Sequence, residues 1–352
     1  MDCAYESESL VKLLHALRSA AILAFSLLCA CGGSAGQTVS SGPKIGVELP
    51  LLTSPFWQAY NDYLPRYARA SKLDLLPPSS ADGDTSKFLT DTQNLIAEGV
   101  DGLVLSPTDT AAAATALDRA AAKHIPVVTV DVAPDRGTVY MVVRADNREY
   151  GTLACDYIGT HVRSGTVVQV EGDLASINGR DRTAAFSDCM RRRFPALRVL
   201  AVAAQWDAAK AEQGLEALYA ANPQIKGIYL QAGGVYLAPA LSVLQRHNAL
   251  VPPSNPKHIV IVSNDGIPQE LDAIRKGRID ATVSQPADLY ARYGLLYIKA
   301  ALARERFTTG PTTHGSHIVR LPNGMLEDQL QAPLVTRANV NDARFWGNAG
   351  RS

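Results

Sequence analysis

The sequence predicts an α/β protein built as two doubly wound parallel-sheet lobes with a ligand cleft between them. Three observations carry that expectation. From Lys44 onward, short apolar runs of strand length alternate with helical patterns, the mark of βαβ units around a sheet covered on both faces. The alternation runs through two successive halves of similar size with no Pro/Gly-rich linker, so the lobes are joined by several short crossings. Finally, the 352 residues exceed what one core sustains, even with an N-terminal segment of about 30 residues set aside.

In the first half, 44–49 reads as a strand and 55–71 as a helix, then 73–77 as a strand. A helix over 86–98 stops at Gly99, followed by a strand over 102–106, an Ala-rich helix over 110–123 and a strand over 125–130. The second half opens with a helix over 147–163 and a strand over 166–171. Helices at 180–194, 208–221, 235–247 and 269–276 then alternate with strands at 198–203, 227–231, 259–263 and 281–284. A helix over 290–304 closes the series. The expected N-terminal lobe is 44–145 plus 286–313; the C-terminal lobe and tail are 146–285 plus 314–352.

The first residues read as an address. Lys12, His15 and Arg18 precede an apolar stretch over 20–28, which Cys29-Ala30-Cys31-Gly32-Gly33 follows. A basic flank, a short apolar run and a small residue at the break make a secretory signal over 1–30. About ten apolar residues are too few to span a bilayer. Small and polar residues over 31–43 make a flexible tether. The expected location is the periplasm or cell envelope.

Composition narrows the function. With 34 Lys+Arg against 34 Asp+Glu and 47% hydrophobic residues, the chain is neither disordered nor suited to nucleic acid. Seven His and five Cys form no CxxC or HExxH, so neither a metal nor a cofactor is expected. No GxSxG or GxGxxG follows a strand, which disfavours a hydrolase or dehydrogenase. The informative residues are those just past each strand, because ligands of open α/β sheets bind at the strands' carboxyl ends. Those positions hold aromatic rings, carboxylates, an Arg and amides. A sugar has apolar C–H faces for rings and a rim of hydroxyls needing both donors and acceptors, so this mixture suits it.

Several phrases appear together and in order: Ser54-Pro55-Phe56-Trp57, Leu105-Ser106-Pro107-Thr108-Asp109, Ala145-Asp146-Asn147 and Asn264-Asp265-Gly266. With the run Ile125-Pro126-Val127-Val128-Thr129-Val130-Asp131 and with Gln285, they resemble the ribose-binding type of periplasmic sugar-binding protein. The resemblance runs from about Lys44 to Tyr297. It implies two α/β lobes with three crossings, closing by a hinge on a monosaccharide or polyol. It also implies the substrate-capturing role in an ABC importer, a permease partner in the inner membrane, and no chemical transformation. By residue, Phe56 and Trp57 match the aromatic pair on one sugar face and Trp206 the ring opposite. Asp131, Arg180, Asp265 and Gln285 match the polar contacts, with Ser54, Ser106 and Asn178 as weaker candidates. Leu28-Cys29-Ala30-Cys31 is similar to a lipobox, which implies lipidation of Cys31, with an ordinary signal peptide cut near Ala35 as the alternative; a monomer attached to the membrane by that anchor alone is expected. The chain departs from the ribose binders at Ser54, Ser106 and Ala232, where they carry Asn, and at Val132, where they carry Arg. Ribose itself is therefore disfavoured against another pentose, a hexose, an inositol or a linear polyol.

Other readings stand beside these. A sensor presenting its ligand to a chemoreceptor or histidine kinase would have the same fold. Arg180 and Arg182 compete for one role, with the other left as a surface ion pair. Asn147 reads as a helix cap, and Asp82-Gly83-Asp84 as the solvated start of a helix. Cys155 and Cys189 remain after processing, either as a disulfide or as two buried thiols.

Overall fold

The computed structural model describes residues 42–349. The signal, Cys31 and most of the tether lie outside the described residues. The two expected lobes are present, each a mainly parallel sheet wound on both faces, with antiparallel strands at one edge. In the N-terminal lobe β1 (Lys44–Leu49), β2 (Asp74–Leu75), β3 (Ser79–Ser80), β4 (Gly102–Leu105), β5 (Val127–Val130) and β6 (Met141–Ala145) are parallel. Helix α1 (Pro55–Ser71) packs on one face, with α2 (Thr85–Ala97) and α3 (Ala113–Ala122) on the other. Pro55 supplies the fixed φ of a first helical turn, and the stripe Phe56, Trp57, Tyr60, Leu64 and Ala68 turns inward.

The C-terminal lobe contains α4 (Asn147–His161), β7 (Gly165–Glu171), α5 (Ile177–Arg193), β8 (Leu197–Ala203), α6 (Ala208–Ala221) and β9 (Ile225–Leu230). It continues through α7 (Gly233–Arg246), β10 (Val260–Asn264), α8 (Pro268–Arg275) and β11 (Ala281–Val283). The chain then returns: α9 (Ala287–Leu302) packs against α1, and β12 (Gly310–Pro311), β13 (His317–Arg320) and β14 (Leu326–Leu330) extend the first sheet. Last, β15 (Leu334–Thr336) pairs antiparallel with β11. The sheet orders are β12-β13-β14-β6-β5-β4-β1-β2, with β3 also on β1, and β15-β11-β10-β9-β7-β8.

Three connections cross between the sheets, at 145–147, 284–287 and 331–333. The third corrects the expected boundary: 314–330 belongs to the N-terminal lobe, because β13 and β14 pair onto its sheet. Strand β6 had no counterpart in the sequence pattern either. Both omissions have one cause. Arg144 in β6 is 4% exposed and reaches Glu327 in β14, itself 1% exposed, at 3.4 Å. Asp328, fully buried, accepts from Tyr297 at 3.0 Å and faces His314 at 2.8 Å. Charges that read as surface are hidden by partners far along the chain.

Cys155 on α4 and Cys189 on α5 form a disulfide inside the apolar layer between these helices and the second sheet. Among the described residues no helix is long and apolar enough to cross a membrane.

Candidate ligand-binding cleft

The carboxyl ends of both parallel sheets open on one cleft of about 890 Å³. Phe56, Trp57 and Ser54 reach it from the start of α1, and Asp131 from the end of β5. Across from them stand Asn178 from α5, Trp206 after β8, Asp265 after β10 and Gln285 after β11. The lobes meet at its edge, where Thr110 Oγ1 donates to the Ala175 carbonyl at 3.1 Å. Gly234, on the second lobe, has no room for a side chain: a Cβ would lie 2.6 Å from Ser54 Oγ and 3.2 Å from Asp265 Oδ2.

Two expected residues are placed elsewhere. Ser106 is buried beside the cleft, but its hydroxyl donates to the Val130 carbonyl at 2.8 Å and does not line the wall. Arg180 lies on the rim, where it donates to Thr110, the Leu174 and Ala175 carbonyls, and Asp135 at 2.7 Å. Arg182 lines the cleft instead, 3% exposed. The expectation started the helix at Arg180; the structure starts it at Ile177, after the Ser176 cap. From that start Asn178 and Arg182 are four apart and share a face, while Arg180 is turned about 200° away from Asn178. The Asn178/Arg182 spacing was the available signal.

Arg182 is the hub of the polar floor. Its Nε donates to Asn147 Oδ1 at 2.6 Å, Nη1 to the Gln231 carbonyl at 2.5 Å and Nη2 to Gln285 Oε1 at 2.8 Å. Asp146, not Asn147, caps α4; Asn147 instead orients this guanidinium. Gln285 Nε2 donates to Asp131 Oδ1 at 3.0 Å, and Asn178 Nδ2 to Asp131 Oδ2 at 2.9 Å. Asp265 Oδ2 accepts from the Gly234 N–H at 2.7 Å.

The backbone is strained where these side chains are presented. Asp131, Trp206 and Asp265 have φ of 67°, 58° and 116°. Hydrogen bonds overdetermine them: Asp131 N–H donates to the Val143 carbonyl, Trp206 N–H to the Tyr236 hydroxyl at 2.7 Å, and Asp265 N–H to the Val283 carbonyl. The Trp206 ring passes over Gly172, where a Cβ would approach it to 1.8 Å. A third indole, Trp346, was not singled out in the sequence; its Nε1 donates to the Gln285 carbonyl at 2.5 Å and its ring meets Phe56 at 6.0 Å.

Burial pushes the Asp265 carboxyl up to about 7, against the pull of Arg182 and the Gly234 N–H, with Asp131 adding to the rise. Burial likewise raises Asp131, although Arg182, Arg144 and the Asn178 amide oppose it. On β1, burial lifts Glu48 to about 8. Such groups hold protons in the folded state that an unfolded chain loses near pH 4, so unfolding releases protons in that window. Stability is therefore greatest at its acid end and declines as pH rises through about 7 to 8. His258 acts in the same direction: burial lowers it, but Asp280 and the Val251 carbonyl hold it above its ordinary value, and its contribution fades on deprotonation. The ligand-free protein is expected to melt several degrees lower at about pH 8.5 than at about pH 6, with a smaller difference in Asp265→Asn. Melting curves across that range check this; an upward trend would contradict it.

The family described as "Periplasmic binding protein domain" matches residues 45–306. The ribose import binding protein of Bacillus subtilis (strain 168) is 28% identical over 278 residues, covering 77% of this chain and 87% of that protein. The xylitol-binding protein of Mycolicibacterium smegmatis is 24% identical over 287 residues, covering 81% and 79%. An ABC transporter solute-binding protein from Mycobacterium smegmatis, solved with bound glycerol, superposes with a TM-score of 0.73 at 25% identity. That superposition covers 85% of this chain and 96% of that one.

Proposed function

The chain belongs to the periplasmic binding protein family, and from that premise we propose that it captures a monosaccharide or polyol between its lobes for an ABC importer. It is a binding protein and not an enzyme: what it does to the ligand is enclose it and hand it to a permease. The observation that carries the reading is the cleft itself, where rings from both lobes flank a buried Arg182 held through all three of its nitrogens. Phe56 and Trp57 take one apolar face of the ligand and Trp206 the other. Asp131 and Asp265 accept hydroxyl protons, while Arg182, Asn178 and Gln285 hold the oxygens, with Ser54 at the edge. A hydroxyl missing from the ligand leaves one of these buried groups unpaired, which makes the site selective.

The three crossings act as the hinge, and closure removes the ligand from water. Export to the periplasm, a lipid anchor on Cys31 and a monomeric state complete the proposal. The test is a thermal-shift screen against pentoses, hexoses, inositols and short polyols. A ligand at about a thousand times its dissociation constant adds about 4 kcal/mol to the native state, raising the midpoint by several degrees. A flat response across the whole panel would overturn the sugar and polyol reading.

A further inference from the structure

The buried charges of the cleft are not balanced. Asp131 and Asp265 are 6% and 5% exposed, and among the described residues neither makes an ion pair. Asp131 is met by two neutral amides, from Asn178 and Gln285. Asp265 receives one backbone N–H at Oδ2, and its Oδ1 opens on the cleft with no protein donor among the described residues. The cation facing them, Arg182, commits its three nitrogens to Asn147, the Gln231 carbonyl and Gln285, all of them neutral. The second buried guanidinium nearby, Arg144, is already occupied by Asp181 and Glu327. The wall thus holds two buried carboxylates against one guanidinium.

We propose that the ligand is a cationic polyhydroxy compound, an amine-bearing sugar or polyol whose ammonium sits at Asp265. This rests on the sugar and polyol reading above and narrows it. With both acids ionised, one positive charge brings the pair and Arg182 to neutrality, and its binding displaces the proton that burial otherwise keeps on Asp265. The ammonium N–H groups supply the donor that Asp265 Oδ1 lacks, and such charge-assisted bonds are the stronger kind. The burial that pushes the Asp265 carboxyl up to about 7 is the cost of holding that charge without a partner. The rings of Phe56, Trp57 and Trp206 are compatible with a cation, since aromatic faces attract positive charge. A phosphorylated or carboxylated sugar would instead add to the excess.

The test is calorimetric titration with matched probes: D-glucosamine against D-glucose, D-galactosamine against D-galactose, D-mannosamine against D-mannose, and 1-amino-1-deoxysorbitol against sorbitol. N-acetyl-D-glucosamine, which carries no charge, is the control. At least one amine is expected to bind about tenfold or more tighter than its hydroxyl parent, about 1.4 kcal/mol, and N-acetylation should remove the advantage. Asp265→Asn should bring amine and parent to similar affinity. Should that variant fail to fold, Val132→Lys, which places an ammonium beside Asp131 on the cleft wall, should cancel the preference in the same way. Parents binding as tightly as their amines would overturn this inference and leave the function above intact. Binding of neither set would also overturn this inference, while the function above is decided separately by the wider thermal panel with its pentoses, inositols and short polyols.

Discussion

Arg182→Ala is expected to weaken ligand binding by about thirty- to thousandfold, while Arg180→Ala changes it by less than about fivefold. The difference follows from burial and from partners, not from residue type. Arg182 is 3% exposed, and its removal leaves Asn147 Oδ1, the Gln231 carbonyl and Gln285 Oε1 without their donor. It also removes the cation that most strongly offsets Asp131 and the one that offsets Asp265. Losing a buried, hydrogen-bonded charge at a binding site costs about 2–4 kcal/mol, which sets the fold-change. Arg180 and Asp135 have side chains 40% and 41% exposed, and such a pair contributes about 0–1 kcal/mol. Arg182→Lys should fall between them, since an ammonium keeps the charge but cannot reach three divergent acceptors at once. Titration of the three variants with a ligand from the thermal screen checks the order. Equal losses from Arg180 and Arg182 would contradict the assignment.

The second large effect concerns stability. Replacing Cys155 and Cys189 together by Ser is expected to lower the melting midpoint by about 10 °C with little change in ligand affinity. The disulfide links residues 34 apart in sequence, a loop for which chain entropy gives about 4 kcal/mol. At about 2–4 °C per kcal/mol for a lobe-sized unit, that is the expected shift. The bridge ties α4 to α5. Because α5 also carries Asn178 and Arg182, any looseness there would appear as weaker binding. An unchanged midpoint would mean that the unfolded chain gains nothing from the missing crosslink.

The fold was legible where a strand is uniformly apolar and a helix keeps its period. Helix α1 begins at Pro55 and ends at Ser71, as the pattern indicates, because the proline and the aromatic stripe both report locally. It was not legible where polarity is answered from afar. Strands β6 and β14 contain Arg144, Glu327 and Asp328, and only their mutual approach and the partners His314 and Tyr297 make them interior. The cleft shows the same division. Positions directly after apolar strands, such as Asp131 and Asp265, can be read from the chain because the strand's end fixes where they point. Arg182 could not be separated from Arg180 without knowing where α5 begins, since two residues along a helix reverse the face. Trp346 follows the last strand and reaches Gln285 across 61 residues of sequence, a contact with no local signature.

The central claim is that a polyhydroxylated ligand is enclosed between the lobes. The chain holds three Trp, and all report on that space: Trp57 and Trp206 line the cleft, and Trp346 packs at the crossing beside Gln285. Intrinsic fluorescence titration is therefore the most direct measurement, with the neutral and amine-bearing sugars and polyols as titrants. The account predicts a saturable change for at least one of them, with its midpoint moved about thirtyfold or more to higher concentration in Arg182→Ala and kept within about fivefold in Arg180→Ala. An unmoved midpoint in Arg182→Ala, or no saturable change with any titrant, would contradict it.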